Sequence, residues 1–388
     1  MQDEEQIADR DARRQSAEME SVAASRQRLP GRQSLAFHLS GAAFAIGASL
    51  FFFDRIASAA RADLLAYDFR QTFFPAAEAL LHGHSPYPAY GYPPLVAFLS
   101  VPFAITDRPD ILVTVVMVAL LPLSLWLLDV RDWRCYAVVL LWGSVFNAVQ
   151  TANVTLPIVV GLAACWRWRD RSRRAAVTGG LTAAAKIIAW PLVVWFAATR
   201  RWGAAAGTVV VAAGVTFGLW AVLGFSGLGG YLNSLGSLAD SEAPNGYTIQ
   251  ALASDAGLSG PFPGLLGSAL ALAALAGIVI YARRGDEARA YACTVAAVIV
   301  ASPIVWLHSF ALLLVPVAIL RPRLSPVWLL PAAFWFYSTG TGNGSSLQTA
   351  LTLGTAALVI VAVLRPTASK ELEVRWDARR RTATDQTT

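Results

Sequence analysis

The stretch YDFRQTFFPAAEALLHGHSPY, residues 67–87, lies between the apolar runs 42–53 and 95–105. It holds two acids, an arginine and two histidines in a chain that is 56% hydrophobic and only 14% charged. Soluble domains carry about 25% charged residues. The surroundings of this stretch decide how it is read, and they are those of a polytopic membrane protein.

Working outward, apolar runs occupy 34–56, 93–106, 110–128, 135–148, 153–166, 176–198, 203–225, 264–282, 289–305, 307–320, 325–339 and 348–365. Several fall short of the ~20 residues that a straight span needs. Short or Pro/Gly-interrupted spans often flank a cavity, where irregular backbone is tolerated. The expectation is an all-α membrane helical bundle of about 10–13 spans. The segment 1–33 reads as a charged cytoplasmic tail, 34–366 as the membrane domain, and 367–388 as a second cytoplasmic tail. No cleavable signal peptide is expected, because the first 33 residues are polar.

The net charge is +6, with a pI near 9.5. Arginines and lysines cluster in short segments between apolar runs, as the positive-inside rule requires, so no nucleic-acid partner is expected. Arg26, Arg28 and Arg32 precede the first span and favour a cytoplasmic N-terminus, which leaves residues 57–92 outside. One region resists a simple topology. The segment WRWRDRSRR (166–174) and the pair Arg200–Arg201 are both basic, yet a single apolar run separates them. Either one crossing leaves a basic segment outside, or 176–198 is a broken hairpin hinged near Lys186 to Pro191 with both flanks on one side. The sequence does not choose between them. A second polar loop, 227–263, is rich in Gly, Ser and Asn and suits a cover over an outer cavity.

Ionisable residues within or beside spans are costly, which makes them candidates for function. Asp68 and Arg70 precede FFPAAEALL, whose apolar residues at 73, 74, 77, 80 and 81 fit an amphipathic helix lying on the membrane surface. The plain alternative is a charged loop closed by an Asp68–Arg70 salt bridge. His82 and His84 have no evident third ligand, and no metal site is expected there. In SPYPAYGYPPL the aromatics, Tyr87 and Tyr92 among them, suit either an interfacial belt or a platform for a sugar. Lys186 lies at least ten residues from either basic flank, and a compact ammonium there could snorkel or hold a phosphate. Gln150 and Asn153 are three apart and would share a helical face, where interhelical hydrogen bonding is the ordinary role. His308 sits between two apolar runs, at a membrane face. Cys135, Cys165 and Cys293 have neither disulfide nor zinc spacing and read as small core residues.

In order, DFRQTFFPAAEALLHGHSPY (68–87), YPPLVAFLSVP (92–102), QTAN (150–153), GLTAAAKIIAWP (180–191) and SPIVWLH (302–308) resemble glycosyltransferase family 87, the polyprenyl-phosphate-mannose-dependent mannosyltransferases. Three departures stand out: Val149 where the family has glycine before the glutamine, Ile187–Trp190 between the lysine and proline, and PNGYTIQ in the second outer loop. The resemblance implies a GT-C bundle in the cell membrane with its site facing outside. The donor would be a polyprenyl-phosphate sugar, the acceptor a lipid or glycan, and the surroundings membrane lipids. No cofactor or metal is expected. An inverting transfer needs a single carboxylate base, and Asp68 takes that role. His308, Lys186, Arg70, Gln150, Asn153, Tyr87 and Tyr92 would bind substrate. The rival reading is a transporter or flippase of a lipid-linked or amphipathic solute. Such proteins often show matched internal repeats, and none is evident.

Overall fold

The computed structural model describes residues 30–337 and 344–366. The expected tails at 1–29 and 367–388 lie outside those residues. The chain divides into two units, Met1–Leu50 and Phe51–Thr388. The described part of the first is the start of helix α1 (Pro30–Arg61).

In the second unit, a π turn (Phe69–Phe73) leads into α2 (Phe74–Leu81), α3 (Pro94–Ala104), α4 (Pro109–Leu127) and α5 (Trp133–Val139). Next come α6 (Gly143–Thr151), α7 (Thr155–Arg167), α8 (Ser172–Ala185), α9 (Pro191–Ala198) and α10 (Trp202–Val222). The polar loop 227–263 folds as α11 (Leu228–Glu242) and α12 (Ile249–Asp255). The remainder is α13 (Phe262–Arg283), α14 (Glu287–Val300), a 3-10 segment (Leu307–Leu313), α15 (Leu314–Leu320), a second 3-10 segment (Pro326–Ala333), α16 (Phe334–Tyr337) and α17 (Ser346–Leu364). No strand occurs among the described residues.

This is an all-α polytopic membrane protein. Among the described residues, five helices are long and apolar enough to cross a bilayer: Leu39–Arg61, Pro109–Leu127, Trp202–Val222, Phe262–Arg283 and Ser346–Leu364. The pair α6 and α7 makes a sixth if counted as one span broken by a 116° bend. Other apolar runs of the sequence become shorter helices, such as Pro94–Ala104 and Leu307–Leu320. The 3-10 segment at Leu307–Leu313 is buried at every residue and lies against α6, α7 and α14. Caps set several helix starts. Asp132, Thr248 and Asp286 each accept a backbone N–H in the first turn of the helix that follows, a bond worth about 1 kcal/mol.

The three cysteines are buried and free. A helix forms at α2 as expected, one face of which packs on α3 with Ala76 and Ala77 buried.

The ambiguity at 166–202 is resolved by ion pairs. Arg201 bonds Asp170 at 2.6 Å and also pairs with Glu287, while Arg169 reaches Glu287 at 3.1 Å. Both basic segments therefore meet on one face, and the chain between them goes out and returns. Helix α8 rises for 14 residues, about 21 Å. Lys186 breaks it in an extended conformation, and the short 3-10 turn and α9 bring the chain back.

Helix α10 then rises alongside α8. A Cβ on Gly207 would lie 2.6 Å from Ala176 Cβ, and one on Gly180 would lie 2.5 Å from Val211 Cβ. The pairing 176–207 followed by 180–211 is a parallel register. Small residues permit this approach, as in other membrane helix pairs. Gly180→Ala is expected to lower stability, although helix propensity alone favours alanine by about 1 kcal/mol. Overpacking costs ~1–3 kcal/mol, and Val211 Cβ has no rotamer that moves it away. Thermal unfolding in detergent should show a lowered midpoint. A raised midpoint would mean that the helices are free to part.

Candidate active site

The site is built from breaks in helices. Directly after Asp68 the backbone enters the π turn, with Phe74 N–H bonded to Phe69 O five residues back. Such turns recur at functional sites. Asp63, Ala66 and Ala152 all adopt left-handed backbone, with φ between 50° and 56°. For residues other than glycine this costs of order 1 kcal/mol each and persists only where neighbours enforce it. Here one neighbour is explicit: Ala66 N–H donates to Gln150 O at 2.6 Å. That bond ties the segment before Asp68 to the break between α6 and α7.

Asn153 sits in the break itself. Its Oδ1 accepts from Thr155 N–H at 3.1 Å and from the Thr155 hydroxyl at 3.0 Å. An amide whose oxygen is so engaged must turn its NH₂ the other way. Its Nδ2 donates to Asp68 Oδ2 at 2.7 Å. His308 also approaches, with Nδ1 at 3.9 Å from the same carboxylate oxygen. The His308 side chain is 4% exposed and that of Asp68 27%. His308 Nε2 is buried with no hydrogen-bond partner.

Lys186, at the apex of the α8–α9 hairpin, completes the cluster. Its Nζ lies 5.5 Å from the centre of the Tyr92 ring, within cation–π range. It is close enough to Asp68 for its charge to favour the carboxylate. Four segments far apart in sequence thus converge on one carboxylate, on the side of α8 remote from the basic face.

Desolvation raises the Asp68 pKa above the ordinary carboxylate value. The Asn153 hydrogen bond, the Lys186 charge and the Thr151 hydroxyl oppose that rise. Thr151 Oγ1 is buried near this carboxylate and makes no hydrogen bond of full geometry, so its effect is the weakest of the three. It is the residue that sequence reasoning missed, although it stands inside the QTAN motif.

Other candidates are placed differently. Arg70 does not pair with Asp68. Its Nη1 bonds Asp63 Oδ1 at 2.6 Å, and its Nη2 donates to the Asp63 carbonyl. The π turn aims the arginine back toward the end of α1, so the salt bridge expected within the loop is instead Arg70–Asp63. Gln150 contributes its carbonyl, and it does not share an unbroken helical face with Asn153, because the left-handed Ala152 ends α6 between them. His308 is at the core rather than at a membrane face. Tyr87 is buried against Trp220 (centroids 5.3 Å, stacked) and Tyr231 (5.7 Å), and its hydroxyl donates to Tyr92 O at 2.8 Å. It joins the polar loop 227–263 to the 87–92 segment. His82 and His84 are exposed, and His82 Nδ1 lies 2.8 Å from Glu78 O.

A membrane-embedded helical bundle that holds one largely buried carboxylate between an amide, an imidazole and an ammonium is suited to group transfer. The sequence profile of glycosyltransferase family 87 matches residues 90–309, more than half of the chain, and the chain belongs to that family. It is a multi-pass membrane glycosyltransferase. The matched stretch contains Tyr92, Asn153, Lys186 and His308, whereas Asp68 precedes it and enters the site through the fold. No curated protein and no solved structure matches the chain.

Proposed function

We propose that this enzyme moves a hexose, with mannose as the first candidate, from a polyprenyl-phosphate sugar to a lipid- or glycan-linked acceptor on the outer face of the cell membrane. The observation that carries this reading is the placing of Asp68, within 2.7 Å of Asn153 Nδ2 and 3.9 Å of His308 Nδ1, with Lys186 alongside. Transfer inverts the anomeric carbon in one step. An acceptor hydroxyl oxygen forms the new bond to that carbon as the bond to the phosphate oxygen breaks, and the electron pair leaves with the lipid phosphate. Asp68 takes the hydroxyl proton. One carboxylate is enough, since no covalent sugar intermediate has to form. Lys186 and His308 Nε2 hold the leaving phosphate, the usual need where negative charge develops. Asn153 keeps the carboxylate aimed and ionised.

The test is transfer of radiolabelled mannose from polyprenyl-phosphate-mannose in membranes containing the wild-type chain. Vectorial movement of the lipid with no glycosidic product would support the flippase reading instead.

Asn153→Ala supplies a pH test. It removes an interaction that favours the ionised carboxylate, so the Asp68 pKa rises further. The base works deprotonated, so the acid limb of the rate profile should move to higher pH, with the loss greatest at low pH. A uniform loss at every pH would assign Asn153 to substrate binding alone.

A further inference from the structure

The basic face encloses a cavity for which the proposed transfer has no use. It holds about 400 Å³ and is lined by Arg169, Asp170, Ser172, Arg200, Arg201 and Trp202. Its charges do not balance. Residues 166–174 and 200–201 contain seven arginines. Asp170 and Glu287 engage only Arg169 and Arg201. Arg167 lies 5.8 Å from the centre of the Trp126 ring. Arg171, Arg173, Arg174 and Arg200 are exposed, with no ion pair among the described residues.

The depth of the cavity narrows the ligand. Trp202 opens the spanning helix α10 and is 66% exposed. A half-exposed tryptophan at a span end marks the headgroup level of a bilayer. Two turns further along α10, Val209 and Val210 are exposed, an apolar surface against which acyl chains can lie. Surplus positive charge at headgroup depth with apolar surface beyond it matches a phosphate that carries two hydrocarbon chains.

We infer that this cavity binds the headgroup phosphate of an anionic phospholipid, with Arg200 as the free cation of its lining and Arg171, exposed between the lining residues Asp170 and Ser172, as a second cation beside it. The paired Arg169, Arg201, Asp170 and Glu287 form its wall, and that wall also fixes the base of the hairpin carrying Lys186. This site is independent of the sugar chemistry at the other end of α8.

The test is titration of the purified full-length chain in neutral detergent with phosphatidylglycerol, read by native mass spectrometry. Each basic residue near an anionic surface contributes about fivefold in affinity. Arg200→Gln should weaken binding about fivefold, and Arg171→Gln with Arg200→Gln about 30-fold. Arg200→Lys should retain it. Arg283→Gln with Arg284→Gln, at the end of another span, should leave it unchanged. Phosphatidylcholine should bind far more weakly, and millimolar inorganic phosphate should not displace the lipid. The inference is overturned by equal phosphatidylglycerol binding in all variants, by phosphatidylcholine binding as tightly, or by displacement with inorganic phosphate, which would mark a soluble-anion site. Should Arg200→Gln fail to fold, Arg171→Gln alone carries the same fivefold expectation.

Discussion

Asp68→Asn is expected to lower the rate of sugar transfer about 10²–10⁴-fold, the usual worth of a positioned general base, or ~3–5 kcal/mol of barrier. The substitution is close to isosteric. An asparagine Oδ1 can still accept the Asn153 Nδ2 hydrogen bond now made at 2.7 Å, so the geometry of the break survives while the proton acceptor is lost. Stability should move the other way. The Asp68 pKa is raised in the fold by desolvation. A carboxyl with a raised folded pKa contributes most to stability when protonated, below its unfolded pKa, and that contribution is lost as pH rises through the folded value. At neutral pH the variant should therefore unfold no more easily than the wild type. The paired readout separates chemistry from folding: initial rate with polyprenyl-phosphate-mannose, and the thermal midpoint in the same detergent. Undiminished transfer would remove Asp68 from the chemistry. A large fall in the midpoint would show that the carboxylate is structural.

Lys186→Met carries the second large effect. Methionine keeps the length and apolar stem of lysine and deletes the ammonium. If that charge meets the leaving phosphate, transfer should fall about 10²–10³-fold, as when one donor to a developing oxyanion is removed. Lys186→Arg should recover only part of the rate, because a planar guanidinium does not replace a compact ammonium. Donor binding should weaken along with turnover, measured as KM and kcat separately. Wild-type rates for Lys186→Met would place the phosphate elsewhere and leave the lysine as the plug of a helix break.

The two substitutions test a site whose parts were unequally legible in sequence. Asp68, Asn153, Lys186 and His308 each stand out by chemistry, since polar groups in an apolar chain are costly. What they touch could not be read. The 85-residue gap between Asp68 and Asn153 is closed by the Ala66–Gln150 backbone bond and by a left-handed alanine, neither of which has a composition signal. Arg70 shows the same limit. Its separation of two from Asp68 suggested a salt bridge, but the π turn redirects it to Asp63. In sequence Tyr87 suits a sugar platform as well as a packing residue, and its contacts with Trp220 and Tyr231 appear only in the fold.

By itself the sequence determined the solvent. Mean hydropathy of +0.51 and 14% charged residues compel helices in a bilayer, because lipid leaves backbone N–H and C=O groups no partner but their own segment. It also determined the approximate borders of the apolar runs and the identity of the residues too polar to be there by default. Tertiary structure decided which runs form helices long enough to cross, where the helices break, and that 176–198 returns to the face it left. Those outcomes depend on contacts between distant segments: arginines 169 and 201 sharing Glu287, and glycines that let α8 and α10 lie side by side. Hydrophobicity is a property of each residue and can be summed along a chain. The pairing of a carboxylate with an amide, an imidazole and an ammonium depends on where the backbone bends, and only the folded packing determines that.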